Sequence, residues 1–183
     1  MADPHIIAKL KAGQEHRIRP CVVAGYCLDR LHAKGEALCI HNVATGREAT
    51  IPHRLTNSAE RKQVVVVGAG VAGLEAARVS AERGHKVTVI EATGQVGGQI
   101  NLAAKVHRRA EMASIIGWLQ QECDELGVSF VYNCLAEPED VLGQTPDMVV
   151  IATGGLPRPL PLRKGEHLVT GLWDLLSGYQ KQR

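Results

Sequence analysis

Val64-Val65-Val66-Val67-Gly68-Ala69-Gly70-Val71-Ala72-Gly73-Leu74 is the stretch on which the fold of this chain turns. Four β-branched valines in a row suit a central strand covered on both faces. The glycines then stand at G-x-G-x-x-G, and apolar residues recur with helical spacing at Val71, Leu74, Ala77 and Ala81 until Gly84 offers a stop. A strand, a glycine turn and a helix in direct succession give each glycine a mechanical role. Gly68 permits the tight turn, Gly70 lets backbone approach a pyrophosphate, and Gly73 lets the helix press on the strand. The first helical residues, Val71 and Ala72, follow with unpaired N–H groups and the positive end of the helix dipole. The pattern therefore predicts a dinucleotide site.

Reading outward, Lys86 to Ile90 is a second strand, and Glu91 ends it 23 residues after Gly68. A carboxylate there accepts the ribose hydroxyls and repels a 2′-phosphate, with Ala92 beside it. Ala110 to Leu126 carries Met112, Ile115, Ile116, Leu119 and Cys123 on one helical face and stops at Gly127. Val128 to Tyr132 and Met148 to Ile151 supply two more strands. The order β-α-β-α-β-β predicts an α/β fold with a parallel sheet.

Residues 1–60 read differently from residues 61–183. Ile6, Ile7 and Leu10 among charged neighbours suggest one short amphipathic helix. From Pro20 to Pro52 three cysteines and three glycines stand among few strand-like runs, which leaves little for an apolar core. Thr56-Asn57-Ser58 reads as a connector. Cys21, Cys27 and Cys39 are spaced C-x₅-C-x₁₁-C, without the close pairs of a zinc site; clustered thiolates favour iron–sulfur chemistry. Cys123 and Cys134 are expected to fill the core.

Two later words narrow the dinucleotide. Gly94-Gln95-Val96-Gly97-Gly98-Gln99 follows the strand-ending Glu91, and Ala152-Thr153-Gly154-Gly155 follows the last strand. With the glycine loop they resemble the FAD-binding, flavoprotein disulfide-reductase-like superfamily. By that resemblance Gly98, Gln99, Thr153 and Gly154 line the flavin nucleotide. Arg19-Pro20-Cys21-Val22, Tyr26-Cys27-Leu28-Asp29, Cys39-Ile40-His41-Asn42 and Ala44-Thr45-Gly46-Arg47-Glu48 resemble a more specific group. These are the modular oxidoreductases of the 2,4-dienoyl-CoA reductase and trimethylamine dehydrogenase type, closest to the N-methylproline (proline betaine) demethylases. Their plan is a flavin-bearing TIM barrel, a four-cysteine [4Fe–4S] loop, then FAD- and NAD-type domains.

The resemblance runs from residue 3 to about residue 178. It implies a Rossmann-like FAD-binding half-domain preceded by a small irregular cysteine-containing segment. FAD would lie on the glycine loop, and an iron–sulfur cluster on Cys21, Cys27 and Cys39. The second cysteine of the family pattern falls on Ala24, so either a fourth ligand would come from water, His32 or His41, or the group would not be a standard four-iron cluster. FMN, NAD(P)H and the substrate acid and base would belong to parts this stretch lacks, and no catalytic residue is assigned. Little turnover is expected of the chain alone. It reads as an electron-transfer portion, or as a non-catalytic FAD-binding or assembly subunit that joins separately encoded FMN-barrel and NAD-binding parts or associates with itself. A small NAD-dependent dehydrogenase would leave the cysteine segment and the Ala152-Thr153-Gly154 turn without a role.

Composition excludes other classes. Of 183 residues, 45% are hydrophobic and 22% charged, which is ordinary for a globular protein. Lys and Arg number 21 against 19 Asp and Glu, giving +2 with the charges scattered, and aromatics are 3%. Neither a basic stripe for nucleic acid nor an anionic-membrane patch is present. The longest apolar run is shorter than the ~20 residues of a membrane span. No secretory signal opens the chain, and five cysteines are an odd set for disulfides. A cytoplasmic location is expected.

Overall fold

The computed structural model describes residues 1–158, 161–162, 164–165 and 168–178. Helix α1 (Ile6–Lys11) and a 3₁₀ turn at Glu15–Arg17 precede α2 (Tyr26–His32). The regular part follows: β1 (Gln63–Val67), α3 (Val71–Glu82), β2 (Lys86–Ile90), α4 (Gln99–Ala103), α5 (Ala113–Glu125), β3 (Ser129–Val131), α6 (Pro138–Leu142), β4 (Met148–Ile151) and α7 (Leu172–Ser177). The four strands and two main helices lie within a residue or three of where the periodicity puts them. The short helices α2, α4, α6 and α7 carry too few turns to show a periodicity.

All strand pairings are parallel, in the order β3-β2-β1-β4. Val64 pairs with Val87 on one side and with Met148 on the other. Val64, Val66, Val87 and Val89 share one face, on which α3 and α5 bury Leu74, Ala77, Ile115, Leu119 and Cys123. Val65 and Ile90 on the opposite face are buried too, which is why β1 reads as an unbroken apolar run rather than an alternation. Each such side chain contributes roughly 1.5–3 kcal/mol by leaving water. The outer strand is less covered, with Met148 51% and Ile151 69% exposed.

The N-terminal segment corrects one expectation. It does contribute to the core: Val22, Leu38 and Ala44 are buried, and Val22 joins the main apolar cluster. Polar contacts add to that packing. Arg17 donates from Nε and a terminal nitrogen to the Glu122 carboxylate on α5, at 2.9 and 2.8 Å. Trp118 Nε1 donates to the Arg17 carbonyl at 3.0 Å, and the Arg19 guanidinium lies 4.2 Å from the Trp118 ring centre. Asp3 gathers the backbone N–H groups of His5 and Arg19 and the Lys9 ammonium. Although burial raises the Asp3 carboxyl, those donors hold it below its ordinary value.

A histidine stands at the same junction. His41 donates Nδ1–H to the Pro20 carbonyl at 2.9 Å, and its ring meets Trp118 edge-on at 5.2 Å. Its Nε2 is buried without a partner among the described residues. Burial, with Arg19 and Arg78 near, pushes the imidazole below its ordinary value of 6.5. Between the lowered value and 6.5 the unfolded chain binds more protons than the folded one. Stability therefore falls as pH drops through that window and levels off below it. Melting followed from about pH 7.5 to 5 will show this loss, and His41→Phe will flatten it; an unchanged acid slope in the variant would remove His41 from the account.

Candidate functional site

The chain leaves β1, steps outward to β2 and β3, then returns to the other side of β1 as β4. The strand order thus reverses at β1, and the crevice beyond the carboxyl ends of β1 and β4 is where parallel sheets take their ligands. Three glycine-bearing turns, scattered over almost ninety residues of sequence, meet there.

Gly68 adopts φ +101, and a Cβ on it would stand 2.5 Å from the Ala152 carbonyl oxygen. That close approach brings the Ala152-Thr153 turn against the loop. A Cβ on Gly73 would overlap the Gly68 carbonyl oxygen and come within 3.3 Å of the Ala152 side chain. Gly70 differs: a Cβ there would meet nothing within 4 Å. It faces open space at the start of α3, and α3 has no side-chain cap. Val71, Ala72 and Gly73 therefore keep the free N–H groups of a helix start. Gly98 closes one side, since a Cβ on it would lie 3.3 Å from the Gly70 Cα. Gly97 N–H donates to the Ala69 carbonyl at 2.8 Å. Gln99 spans the crevice and donates from Nε2 to the Gly155 carbonyl at 2.8 Å. Thr153 and Gly154 lie exposed beside it.

Glu91 does more than the sequence suggests. It is 8% exposed, and its Oε2 accepts the Ala69 N–H at 2.7 Å. Its Oε1 accepts the Thr93 N–H at 2.9 Å and the Thr93 hydroxyl at 2.8 Å. Three of the roughly four acceptor positions of a carboxylate are taken, so the carboxylate holds the loop's shape and keeps capacity for a ribose hydroxyl. Thr93 escaped the sequence reading because nothing in its spacing marks a residue that braces another. Ala92 is exposed beside Glu91 and offers backbone only. The residues fit a dinucleotide: open space at Gly70 beside uncapped N–H groups, with a fixed carboxylate at the next strand end.

The cysteines are placed otherwise. Cys21 is exposed, while Cys27 and Cys39 are half-buried, and all five thiols are free. Between the first two the backbone turns sharply, with Val23 at φ 49 and Gly25 at φ 72. Ala24 offers a methyl group where the family pattern has a ligand. His41 is bonded through Nδ1 to Pro20 with its ring edge-on to Trp118 and its Nε2 buried, and His32 is exposed on α2. Among the described residues no three His, Cys, Asp or Glu side chains close around a single metal ion. With Ala24 at the second position, the segment carries three thiols, Cys21, Cys27 and Cys39, and does not suit a cluster held by four cysteines. Cys123 is fully buried, and burial pushes its thiol up to about 12, the behaviour of an inert core residue. Cys134 is half-buried, so the expectation that it fills the core does not hold. It lies just beyond β3, where the sheet edge is open.

No helix among the described residues is long and apolar enough to cross a membrane. Residues 62–180 match the family model described as pyridine nucleotide-disulphide oxidoreductase. The chain is 53% identical over 181 residues to a Rhizobium meliloti (strain 1021) protein described as "Probable N-methylproline demethylase", covering 99% of this chain and 27% of that protein. An N,N-dimethylglycine/sarcosine dehydrogenase of Chromohalobacter salexigens is 45% identical over 187 residues, with 97% of this chain and 27% of that protein covered. A solved 2-naphthoyl-CoA reductase complex superposes with a TM-score of 0.90 at 31% identity, over 98% of this chain and 28% of that one. The chain spans about a quarter of the length of these relatives.

Proposed function

This chain belongs to the pyridine nucleotide-disulphide oxidoreductase family, and from that premise we propose that it is the FAD-holding, electron-carrying portion of a flavoenzyme acting on N-methylated amines. The observation that carries the FAD assignment is the meeting of the Gly68–Gly73 loop with Gly98 and with Ala152-Thr153 over an uncapped helix end. Val71, Ala72 and Gly73 would give their N–H groups to the pyrophosphate, and Glu91 its remaining acceptor position to the ribose. Gly98, Gln99, Thr153 and Gly154 would border the nucleotide. When bound, FAD supplies the redox chemistry; the protein's part is to fix its position and electrostatic surroundings. The substrate class comes from the names of the two relatives quoted above.

Cys21, Cys27 and Cys39 are proposed to hold an iron–sulfur cluster with one corner left to a non-protein ligand. The free thiols support a reducing, cytoplasmic setting. The bare β4 edge, with Met148 and Ile151 exposed, favours a second reading in which the chain is a binding or assembly part without turnover of its own. Its partners would then be FMN-barrel and NAD-binding parts, or a second copy.

The test is titration of the purified chain with FAD under anaerobic conditions, followed by flavin fluorescence, together with iron and sulfide assay after cluster reconstitution. Saturable quenching at one FAD per chain is expected, as is bound iron that Cys27→Ser removes. Absence of FAD binding overturns the assignment; equal iron in the variant overturns the cluster. Gel filtration with candidate barrel and NAD-binding polypeptides separates the two readings, since only a complex that gains activity supports the assembly role.

A further inference from the structure

We propose that the cleft between α1 and the sides of α3 and α5 that carry Arg78, Trp118 and Glu122 binds a small oxyanion of the phosphate class. The cavity measures about 220 Å³ and lies apart from the glycine loops. Its charged groups decide what it can hold. Lys9 pairs with Asp3, Arg17 with Glu122, and Arg78 with Glu75 and Glu82. All three carboxylates lining the cavity, Asp3, Glu82 and Glu122, are therefore engaged. Arg19 and Arg54, which also line it, have no carboxylate within ion-pair distance among the described residues.

Arg19 is held in place for such a role. Its guanidinium rests on the Trp118 face at 4.2 Å, and one terminal nitrogen donates to the His41 carbonyl at 3.1 Å. The plane of the fork is thus fixed, while its remaining N–H groups have no protein acceptor among the described residues. Arg19 is a half-buried cation left without a counter-charge, which favours an anion, and Arg54 is exposed at the rim. The second, independent feature is His5. It lines the same cavity, and its Nε2 is buried with no hydrogen-bond partner among the described residues. His53, also lining it, stands edge-on to His5 at 6.2 Å and is paired with Glu48 at 3.3 Å.

A tetrahedral oxyanion carries enough acceptor oxygens to take the Arg19 donors and an Nε2–H of His5 together. Inorganic phosphate and the phosphate end of a metabolite share this chemistry. The site does not depend on the FAD assignment, but the glycine loop also accepts phosphate, so the two must be separated. The experiment measures thermal midpoints and phosphate titrations of the full chain in phosphate against chloride at equal ionic strength. The wild type, Gly70→Glu (which obstructs the loop) and Arg19→Gln are compared. Phosphate should raise the midpoint of the wild type and of Gly70→Glu alike, and half-saturation should be roughly tenfold or more weaker in Arg19→Gln. If Arg19→Gln fails to fold, His5→Phe keeps the ring bulk and should weaken phosphate in the same direction. A response no larger than chloride's, or one lost in Gly70→Glu and kept in Arg19→Gln or His5→Phe, overturns the proposal. A glucose 6-phosphate arm tells a free anion from a phosphate end: equal binding of both marks an open cleft that takes either source, and binding of inorganic phosphate alone limits the site to the free ion.

Discussion

Gly73→Ala should unfold this chain far more readily than any other single methyl addition considered above. The new Cβ would overlap the Gly68 carbonyl oxygen and lie 3.0 Å from its carbon, and both atoms are backbone. Neither can swing aside as the tip of a side chain could, so α3 must lift from β1. Lifting it opens the contacts of Leu74 and Ala77, each fully buried against the sheet. Overpacking of this kind destabilises by about 3 kcal/mol or more when backbone must shift. For a domain of this size that corresponds to a fall of roughly 6–12 °C in melting temperature. Gly117→Ala supplies the contrast. That glycine sits in α5, and a Cβ there would meet nothing within 4 Å. It should stabilise by about 0.5–1 kcal/mol through helix propensity alone. Circular-dichroism melts of both variants check the pair, and an unchanged midpoint for Gly73→Ala would mean that helix and loop do not touch as described.

Gly70→Glu should separate binding from folding. Gly70 has φ −70 and ψ 179, a conformation open to any residue, and a Cβ there points into empty space. Stability should therefore change by no more than about 0.5 kcal/mol, as for an ordinary exposed position. The added side chain would fill the volume over the first N–H groups of α3, and its carboxylate would repel a pyrophosphate. FAD affinity should fall by about a hundredfold or more, equivalent to ~2.7 kcal/mol of binding. Flavin fluorescence titration of the folded variant measures this. Undiminished affinity would show that the dinucleotide does not lie on this loop.

The two variants also show how far the sequence can be read. The fates of Gly70 and Gly73 are legible in G-x-G-x-x-G because strand, turn and helix are neighbours along the chain. Their geometry follows from local backbone sterics. Glu91 was legible as a strand-ending carboxylate, but its bonds to Ala69 and Thr93 were not. They depend on how β1 and β2 align across the sheet. The interface of Arg17, Arg19 and His41 with Trp118 and Glu122 was hidden for the same reason. More than seventy residues separate the partners, and charged side chains in a polar segment carry no periodicity to mark them.

The sequence alone determined that this chain forms parallel β-α-β structure with an anion-ready turn after its first strand. Runs of valine and helical spacing commit the backbone locally, and only glycine tolerates the turn. Tertiary structure decided that β4 lies beside β1 rather than beside β3, which brings Ala152 and Thr153 to the glycine loop. It also decided that residues 1–60 fasten onto α5 through an arginine–tryptophan junction. Strand order and side-chain docking are settled by which buried surfaces fit together across the fold, and that complementarity is a property of no single stretch of chain.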